Sequence, residues 1–369
     1  MTIFITELAP AANGTRLAVK DLFDTAGVRT TYGSAIYRER VPAASAEAVV
    51  RLEGAGYVCV GKANLHEFAW GITSENPHYG DTPNPVAPGR IPGGSSGGCA
   101  AALVAGLADA GLGSDSGGSV RIPAACCGVT GFKPSFGLVP IDGCHPLAPS
   151  FDTAGPLAPD VAGCERMMAA LAPDLAPLAL DSLAEVRVGV VWTDRADPLV
   201  RARVEAAAAH FPQRRALDLP LPDGVGPLFA REAASVHGEL FRRHRELYGA
   251  DVAGKVERAL GVDDARAQAA ARAHERYRER MATLTADVDL VLTPTVVSVA
   301  PPTGIADRLL LDRITALTFP WNATGAPALA LPCGAAEHGL PASVQLAGRQ
   351  GDDALVLAAG RLLERALDR

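Results

Sequence analysis

The segment GGSSGGCAAALVAGLADAGLGSDSGGSVRIPAACCGVTGFKP, at Gly93–Pro134, decides how this 369-residue chain is interpreted. It contains a first glycine–serine cluster at 93–98 and a second at 116–119, joined by an apolar run. Glycine allows positive φ angles and a close approach of the backbone to other groups, and serine supplies hydroxyl groups. Two such clusters in one segment predict a serine-based active site built on bent backbone.

Short apolar stretches alternate with helical patterns on both sides of this segment. Strands are predicted at 15–22, 57–60, 110–114, 186–192, 288–295, 328–332 and 343–347. Helices are predicted at 45–55, 99–107, 119–127, 160–171, 198–210, 309–318 and 354–367, and in pieces over 226–285 separated by Gly249, Gly254 and Gly261. A long loop is expected at 73–92, a linker at 173–183 and an aromatic loop at 319–322. This alternation predicts an α/β fold with a largely buried sheet.

The composition excludes several classes of function. A net charge of −7 and a pI near 5.7 argue against a nucleic-acid surface, which needs a basic stripe. The first ten residues lack the pattern of a signal peptide, and the apolar run at 99–112 is too short to cross a bilayer. The seven cysteines show no zinc-ligand spacing and are interpreted as small buried side chains in a reducing compartment. We therefore expect a soluble cytoplasmic protein.

Four interpretations of the serine clusters compete. A phosphate-binding loop lacks the lysine of its motif. A trypsin-like protease would explain Asp115-Ser116-Gly117-Gly118, but that fold is nearly all β, whereas this chain is rich in helix. An α/β-hydrolase needs serine at the centre of G-x-S-x-G, where this chain has Asp115. A packing role for the glycines and serines would suffice for either cluster alone. The presence of two clusters, with Lys20 after an apolar strand upstream, argues against it.

Lys20 and Ser119 are the two positions at which the residues themselves suggest chemistry. Lys20 directly follows the apolar run Leu17-Ala18-Val19, so it is either a surface residue at a strand end or a buried functional one. Ser119 opens a predicted helix, where N–H groups are unpaired and the helix dipole is positive. A developing oxyanion would be stabilised at that point.

The chain resembles the amidase-signature family through four motifs. These are AVKD at 18–21, GGSSGG at 93–98, GSDSGGSVRIPA at 113–124 and CGVTGFKP at 127–134. The spacings match as well, since Ser119 follows Ser95 by 24 residues (119 − 95) and Ser95 follows Lys20 by 75 (95 − 20). Weaker similarity extends over the whole chain. The resemblance implies a single large α/β domain, with a central mixed β-sheet covered by helices on both faces. Its signature core would span about 15–175, and a substrate-shaping part would span about 184–369.

The resemblance also implies the roles of individual residues. Ser119 would be the nucleophile, Ser95 a relay serine beside a cis peptide bond, and Lys20 the base. The oxyanion hole would be formed by the backbone N–H groups of Ser116, Gly117, Gly118 and Ser119. Supporting hydrogen bonds would come from Ser96, Asp115 and Arg121. The substrate pocket would draw on Trp70, Thr73, Tyr248, Phe319 and Trp321.

The implied activity is hydrolysis of a small carboxamide or urea-like compound through a seryl acyl-enzyme. The base works only if burial depresses the lysine pKa, so that the amine is neutral. The implied partners are a small amide and water, with no metal, cofactor, nucleic acid or membrane, and self-association is left open. The alternatives are the glutaminase subunit of a tRNA-dependent amidotransferase and a non-catalytic member that acts as a partner protein. Lys62 and Lys133 are interpreted as structural, and Asp142, His145 and Asp152 are given no catalytic role.

Overall fold

Eleven strands form one mixed sheet in the computed structural model, which describes residues 1–9 and 13–368. The strands are Phe4–Glu7 (β1), Thr15–Lys20 (β2), Tyr57–Ala63 (β3), Ala110–Asp115 (β4), Thr130–Lys133 (β5), Thr153–Ala158 (β6), Val188–Val190 (β7), Arg214–Ala216 (β8), Leu290–Pro294 (β9), Ala328–Ala335 (β10) and Pro341–Ala347 (β11). Their order across the sheet is β1-β3-β2-β4-β6-β5-β10-β11-β9-β7-β8. Strand β2 runs parallel to β3 and β4, and β7 runs parallel to β8 and β9, whereas the other neighbours are antiparallel.

The helices surround this sheet. They are Glu47–Gly54 (α1), Gly97–Val104 (α2), Arg121–Cys127 (α3), Val161–Leu171 (α4), Pro198–Ala208 (α5), Gly226–His244 (α6), Ala250–Leu260 (α7), Asp264–Leu284 (α8), Asp307–Thr315 (α9), Phe319–Ala323 (α10) and Asp353–Leu367 (α11). Among the described residues, no helix is both long enough and apolar enough to cross a membrane.

Strand β2 shows how both faces of the sheet are covered. Successive side chains of a strand point to opposite faces. Leu17 and Val19 pack in the same apolar cluster as Val49 of α1, whereas Ala18 packs with Cys99 of α2 in a different cluster. The predicted α/β architecture, with helices on both faces of a central mixed sheet, is therefore confirmed. Lys20 follows Ala18 by two residues, so its side chain lies on the same face of the sheet and points towards α2.

The two halves of the chain share this sheet. Strand β5 pairs antiparallel with β10, with Phe132 opposite Leu329, so hydrogen bonding continues from the N-terminal strands into the C-terminal ones. Strand β10 in turn pairs with β11, and β11 with β9. The sequence did not predict β1, β5, β6 or β8. The sequences of β5 and β6 are TGFK and TAGPLA. Their glycine and proline residues have low strand propensity, and pairing with neighbouring strands stabilises them as strands nonetheless.

Two local predictions are wrong. The expected aromatic loop at 319–322 is helix α10. Pro320 does not prevent it, because proline in the first turn needs no hydrogen-bond partner for its nitrogen. Gly254 does not interrupt the helical region, since it lies inside α7, whereas Gly249 and Gly261 flank that helix as expected. The seven cysteines are all free, and six of them are buried, in agreement with their predicted role as small core residues.

Candidate active site

The two glycine–serine clusters meet at the end of strand β4. The first cluster leads into α2, which begins at Gly97, and the second joins the end of β4 at Asp115 to α3. The backbone N–H of Ser96 donates to the carbonyl of Ser119 at 3.2 Å, so the clusters are hydrogen-bonded directly. The peptide bond between Gly94 and Ser95 is cis, as the resemblance implied.

Lys20 reaches this junction from the neighbouring strand. Strands β2 and β4 are parallel, with Val19 opposite Leu112, so the ends of both strands lie at the same edge. The Lys20 side chain is completely buried. Its Nζ lies 2.7 Å from Ser95 Oγ, 2.8 Å from Ser114 Oγ and 3.4 Å from the Ser114 carbonyl oxygen. An ammonium group can donate to all three oxygens, and a neutral amine can donate to two of them and accept from the Ser95 hydroxyl.

Burial changes the protonation of Lys20. Because the surrounding protein cannot solvate an ammonium ion, burial lowers the pKa of Lys20 from 10.5 to about 8. The nearby carboxylates of Asp115 and Asp152 oppose this shift without cancelling it. A substantial fraction of the lysine is therefore neutral at mildly alkaline pH, as a base requires.

The second cluster is organised around the Asp115 carboxylate. This carboxylate accepts hydrogen bonds from the backbone N–H groups of Gly118 at 2.8 Å and Val120 at 3.1 Å. Burial alone would raise the pKa of Asp115, but the charge and hydrogen bonds of Arg121 outweigh that effect and hold it well below its usual value. Asp115 is thus a fixed anion that bends the backbone of the cluster around itself.

The bond from Gly118 corrects one detail of the implied oxyanion hole. Its N–H already points at Asp115 and is not available to an oxyanion. The N–H groups of Ser116, Gly117 and Ser119 have no acceptor among the described residues. Three of the four expected donors therefore remain free.

Arg121 anchors the second cluster to distant parts of the chain. Its guanidinium forms a fully buried ion pair with Asp115 through two hydrogen bonds, of 2.8 and 3.0 Å. It also donates to the Thr318 carbonyl, to Asn322 Oδ1 and to Gln345 Oε1, at 2.7–2.8 Å. Helix α10 and strand β11 thereby hold the second cluster in position.

Ser96 contributes to the same network. Its hydroxyl donates to the Ser114 carbonyl at 3.2 Å, next to the contact between Lys20 and Ser114. Asp152 accepts from the Ser116 hydroxyl at 2.5 Å and from the backbone N–H groups of Leu147 and Ala148. Asp152 therefore positions the backbone beside the second cluster.

A cavity of about 210 Å³ opens onto Ser119. Of the five predicted pocket residues, Trp70 and Phe319 line it, together with Ser116 and Gly117. The structure thus brings two of the predicted pocket side chains to the nucleophile candidate.

The other three lie elsewhere. Thr73 is buried beside His66, and Tyr248 packs in an aromatic cluster with Phe68 and Phe241. Trp321 packs at a tilt against Trp192 and lines a separate cavity beside α8. Trp321 and Phe319 are close in sequence but lie on different faces of the short helix α10. Their proximity in the sequence therefore did not show that only Phe319 faces the cavity.

One group of potential metal ligands lies beside the cavity. His66, Asp251 and Asp307 bring a ligand atom each to within 4.8 Å of one another, although the local sequence around His66 shows no metal motif. The amino group of Lys255 lies among them and donates to Asp251 at 2.6 Å and to Asp307 at 2.7 Å. A metal ion would have to displace this ammonium group, so the cluster fits a buried ion-pair network better than a metal centre.

This network holds one wall of the cavity. Lys255 also donates to the Trp70 carbonyl at 2.7 Å, and Asp307 Oδ1 accepts from the backbone N–H groups of Ile72 and Thr73 at 2.6 and 3.1 Å. The loop that carries Trp70 is therefore tied to helices α7 and α9.

The other two lysines in motif segments, Lys62 and Lys133, are also fully buried. Neither of them makes a hydrogen bond to Lys20 or to the groups that Lys20 contacts. Lys62 lies opposite Val19 in the sheet and donates to the Phe23 carbonyl and to Thr25 Oγ1. Lys133 donates to the Pro134 carbonyl at 2.7 Å. Both arrangements agree with structural roles.

Comparison with known proteins agrees with the motifs. The sequence profile of the Amidase family matches residues 6–214 and 231–357, a region that includes Lys20 and both glycine–serine clusters. The chain belongs to the amidase-signature family. Its members hydrolyse amide C–N bonds, and this protein is an enzyme of that class.

Individual relatives of this amidase-signature chain have different names. It is 34% identical to the GatA component of the glutamyl-tRNA(Gln) amidotransferase of Synechococcus sp. strain CC9311, over 98% of this chain and 85% of the relative. It is also 34% identical to AtzE, a component of the 1-carboxybiuret hydrolase of Pseudomonas sp. strain ADP, over 97% and 85% of the two chains. A crystal structure of an amidase superimposes with a TM-score of 0.87 at 36% identity, covering 95% of this chain and 84% of the other.

Several residues of this amidase-signature site were not singled out from the sequence. Ser114 was placed in a strand without a role, yet its hydroxyl contacts Lys20. Gln345 and Asn322 reach Arg121 from 224 and 201 residues away, and no local pattern marks them. Asp312 and Phe229, which line the cavity, lie on helices α9 and α6, and no motif in the sequence marks them.

Proposed function

We propose that this protein is an amidohydrolase that cleaves a small carboxamide or urea-like substrate through a Ser119 acyl-enzyme, with Ser95 and Lys20 as the proton relay. The observation that carries the proposal is the buried contact of 2.7 Å between Lys20 Nζ and Ser95 Oγ, at a junction whose other serine, Ser119, faces the cavity. A lysine with a pKa of about 8 can accept a proton near neutral pH.

The first half of the reaction forms the ester. Ser119 Oγ attacks the carbonyl carbon while its proton passes to Ser95, and the Ser95 proton passes to neutral Lys20. The carbonyl oxygen becomes an oxyanion, which the free N–H groups of Ser116, Gly117 and Ser119 would stabilise. The C–N bond then breaks, and the leaving nitrogen takes the proton back from Lys20 through Ser95. This step regenerates the neutral amine.

The second half removes the acyl group. Water enters the position that the leaving amine has vacated and loses its proton through the same relay. The tetrahedral intermediate collapses, and Ser119 leaves with a proton returned from Lys20. The net reaction is the amide plus water giving a carboxylic acid and an amine or ammonia. No step requires an additional reactant.

A second candidate is a glutaminase component that supplies ammonia within a tRNA-dependent amidotransferase. Its support is the similarity to proteins named as components of glutamyl-tRNA(Gln) amidotransferase. The chain is equally similar, at 34% identity, to a component of 1-carboxybiuret hydrolase, so sequence identity does not favour either of the two functions.

The buried contacts of Lys20 argue against a non-catalytic partner protein. The free cysteines support the predicted cytoplasmic compartment.

Labelling with a fluorophosphonate tests the proposal. We expect stoichiometric modification at Ser119, located by peptide mass spectrometry, and loss of labelling in Ser119→Ala. Ser150→Ala is the matched control, since Ser150 is exposed and lies outside the cavity. Labelling at another residue, or retained turnover in Ser119→Ala, would overturn the nucleophile assignment. Ammonia release from glutamine only after addition of partner proteins would favour the amidotransferase.

A further inference from the structure

The cavity at Ser119 has an apolar wall. The side chains of Trp70, Ile72, Leu147, Phe229, Leu311 and Phe319 supply most of its lining. Three of these are aromatic and come from separate elements, namely the loop after β3, helix α6 and helix α10. A group held against such walls gains stability by leaving water in proportion to its apolar surface.

The polar groups of the cavity are few and mostly occupied. The Ser116 hydroxyl donates to Asp152, and the Thr315 hydroxyl donates to the Leu311 carbonyl at 2.7 Å within its own helix. Apart from the Ser119 hydroxyl and the free N–H groups assigned to the oxyanion, the cavity therefore offers few polar groups to bind the rest of a substrate.

Asp312 provides the only acidic side chain among the described residues that line the cavity. It is exposed and has no ion-pair partner in the described part of the chain. No arginine or lysine lines the cavity itself, as far as the described residues show. Arg258 and Arg266 lie in an adjoining groove, which continues outward past Phe229 and Leu311.

A substrate carboxylate inside this cavity would lose water without gaining a cation, and Asp312 would repel it. We propose, resting on the function proposed above, that the enzyme selects amides whose group beside the scissile carbonyl is uncharged and apolar, aromatic or branched aliphatic. It discriminates against amides that carry a carboxylate within the cavity, such as glutamine. Phe229 and Phe319 select the apolar group, and Asp312 rejects the anion.

Two fluorophosphonates of equal length test this selectivity, one ending in a phenyl ring and the other in a carboxylate. The readout is the second-order rate constant for modification of Ser119. We expect the phenyl probe to react about 100-fold faster. In parallel, kcat/KM for 3-phenylpropanamide should exceed that for glutamine by a similar factor, measured as ammonia release.

Two variants connect the selectivity to named residues. Phe229→Ala should slow the phenyl probe about tenfold or more and leave the carboxylate probe much less affected. Its control is Phe136→Ala, an exposed phenylalanine outside the cavity. Asp312→Asn should raise the rate of the carboxylate probe relative to the phenyl probe about fivefold. Glu53→Gln on helix α1 removes the same charge from an exposed position away from the cavity and should leave that ratio unchanged.

The outcomes separate this inference from the proposed function. Modification of Ser119 by both probes, with the carboxylate probe equal or faster, would overturn the selectivity and leave the acyl-enzyme chemistry in place. Failure of both probes to modify Ser119 would overturn the proposed function and this inference with it. A phenyl preference that Phe229→Ala and Phe136→Ala reduce equally would refute the role of Phe229.

Discussion

The amino group of Lys20 and the hydroxyl of Ser95 lie 2.7 Å apart, although 75 residues separate them in the chain. The contact arises because β2 and β4 are parallel neighbours whose ends meet where the first glycine–serine cluster turns into α2. Lys20 is buried because it is the last residue of a strand inside the sheet, and Ser95 lies just before the start of helix α2.

The burial of Lys20 predicts an alkaline pH dependence. Because only the neutral amine accepts the relayed proton, kcat/KM should rise with pH and reach half its plateau near the pKa of about 8. At pH 6 the rate should be roughly 100-fold below the plateau, since each pH unit changes the neutral fraction about tenfold. The measurement is kcat/KM from pH 6 to 10. A profile that falls as pH rises would contradict a lysine base.

The contact between Ser114 and Lys20 predicts a shift of that profile. The Ser114 hydroxyl accepts from the ammonium form at 2.8 Å and so favours the charged state. In Ser114→Ala the apparent pKa should therefore fall, and the plateau rate should drop about tenfold as the amine loses orientation. Ser150→Ala should leave the profile in place. An unchanged pKa in Ser114→Ala would show that Ser114 does not act on Lys20.

The ion pair between Asp115 and Arg121 predicts a large loss of stability when it is broken. Asp115→Asn leaves a guanidinium without its partner in the core, and the free energy of unfolding should fall by about 3–5 kcal/mol. Asp109→Asn breaks an exposed pair with Arg16 and should cost less than about 1 kcal/mol. Urea unfolding of both variants provides the comparison, and equal losses would contradict the importance of burial.

Gly118 and Gly117 offer a matched pair of glycine substitutions. Gly118 has a φ of +130°, and a Cβ there would lie 2.3 Å from Thr318 Oγ1. Gly118→Ala should therefore lower the free energy of unfolding by about 1–3 kcal/mol from backbone strain, and by more when the clash with Thr318 is included. A Cβ on Gly117 would lie 3.7 Å from the Phe319 ring, an ordinary contact, so Gly117→Ala should change stability by less than about 0.5 kcal/mol. Thermal unfolding measures the difference, and equal melting temperatures would refute it.

The burial of Lys133 predicts that an apolar substitution there raises the free energy of unfolding by an amount that depends on pH. Burial, followed by the charge of Arg121, lowers the pKa of Lys133 from 10.5 to about 7. Between these values the unfolded chain binds more protons than the folded one, so the penalty of burying this group is full below pH 7 and fades as pH rises to 10.5. Lys133→Met removes it, and its stability relative to wild type should be highest below pH 7 and decline towards pH 10. Urea titrations at pH 6.5, 8 and 9.5 test the trend, and a relative stability that grows with pH would contradict it.

Local patterns sufficed for much of the fold, since the alternation of apolar strands and helices predicted the α/β class. The candidate site residues Lys20, Ser95 and Ser119 came from the family resemblance. The structure brings Lys20 Nζ to Ser95 Oγ and joins the backbone of Ser96 to that of Ser119. The strands β5 and β6 were missed, because glycine and proline weaken the local signal where neighbouring strands supply the stabilising contacts. The helix at 319–323 was missed because five residues are too few to show a helical pattern.

The amino-acid sequence by itself determined which residue types can do chemistry here, since glycines, serines and a lysine carry those properties wherever they are placed. Tertiary structure decided which of them can act together. Only folding buried Lys20 enough to depress its pKa, directed the Gly118 N–H towards Asp115 instead of a substrate, and separated Trp321 from Phe319. It also set three aromatic rings and Asp312 around Ser119. Solvation and distance govern all of these effects, and both depend on residues brought together from opposite ends of the chain.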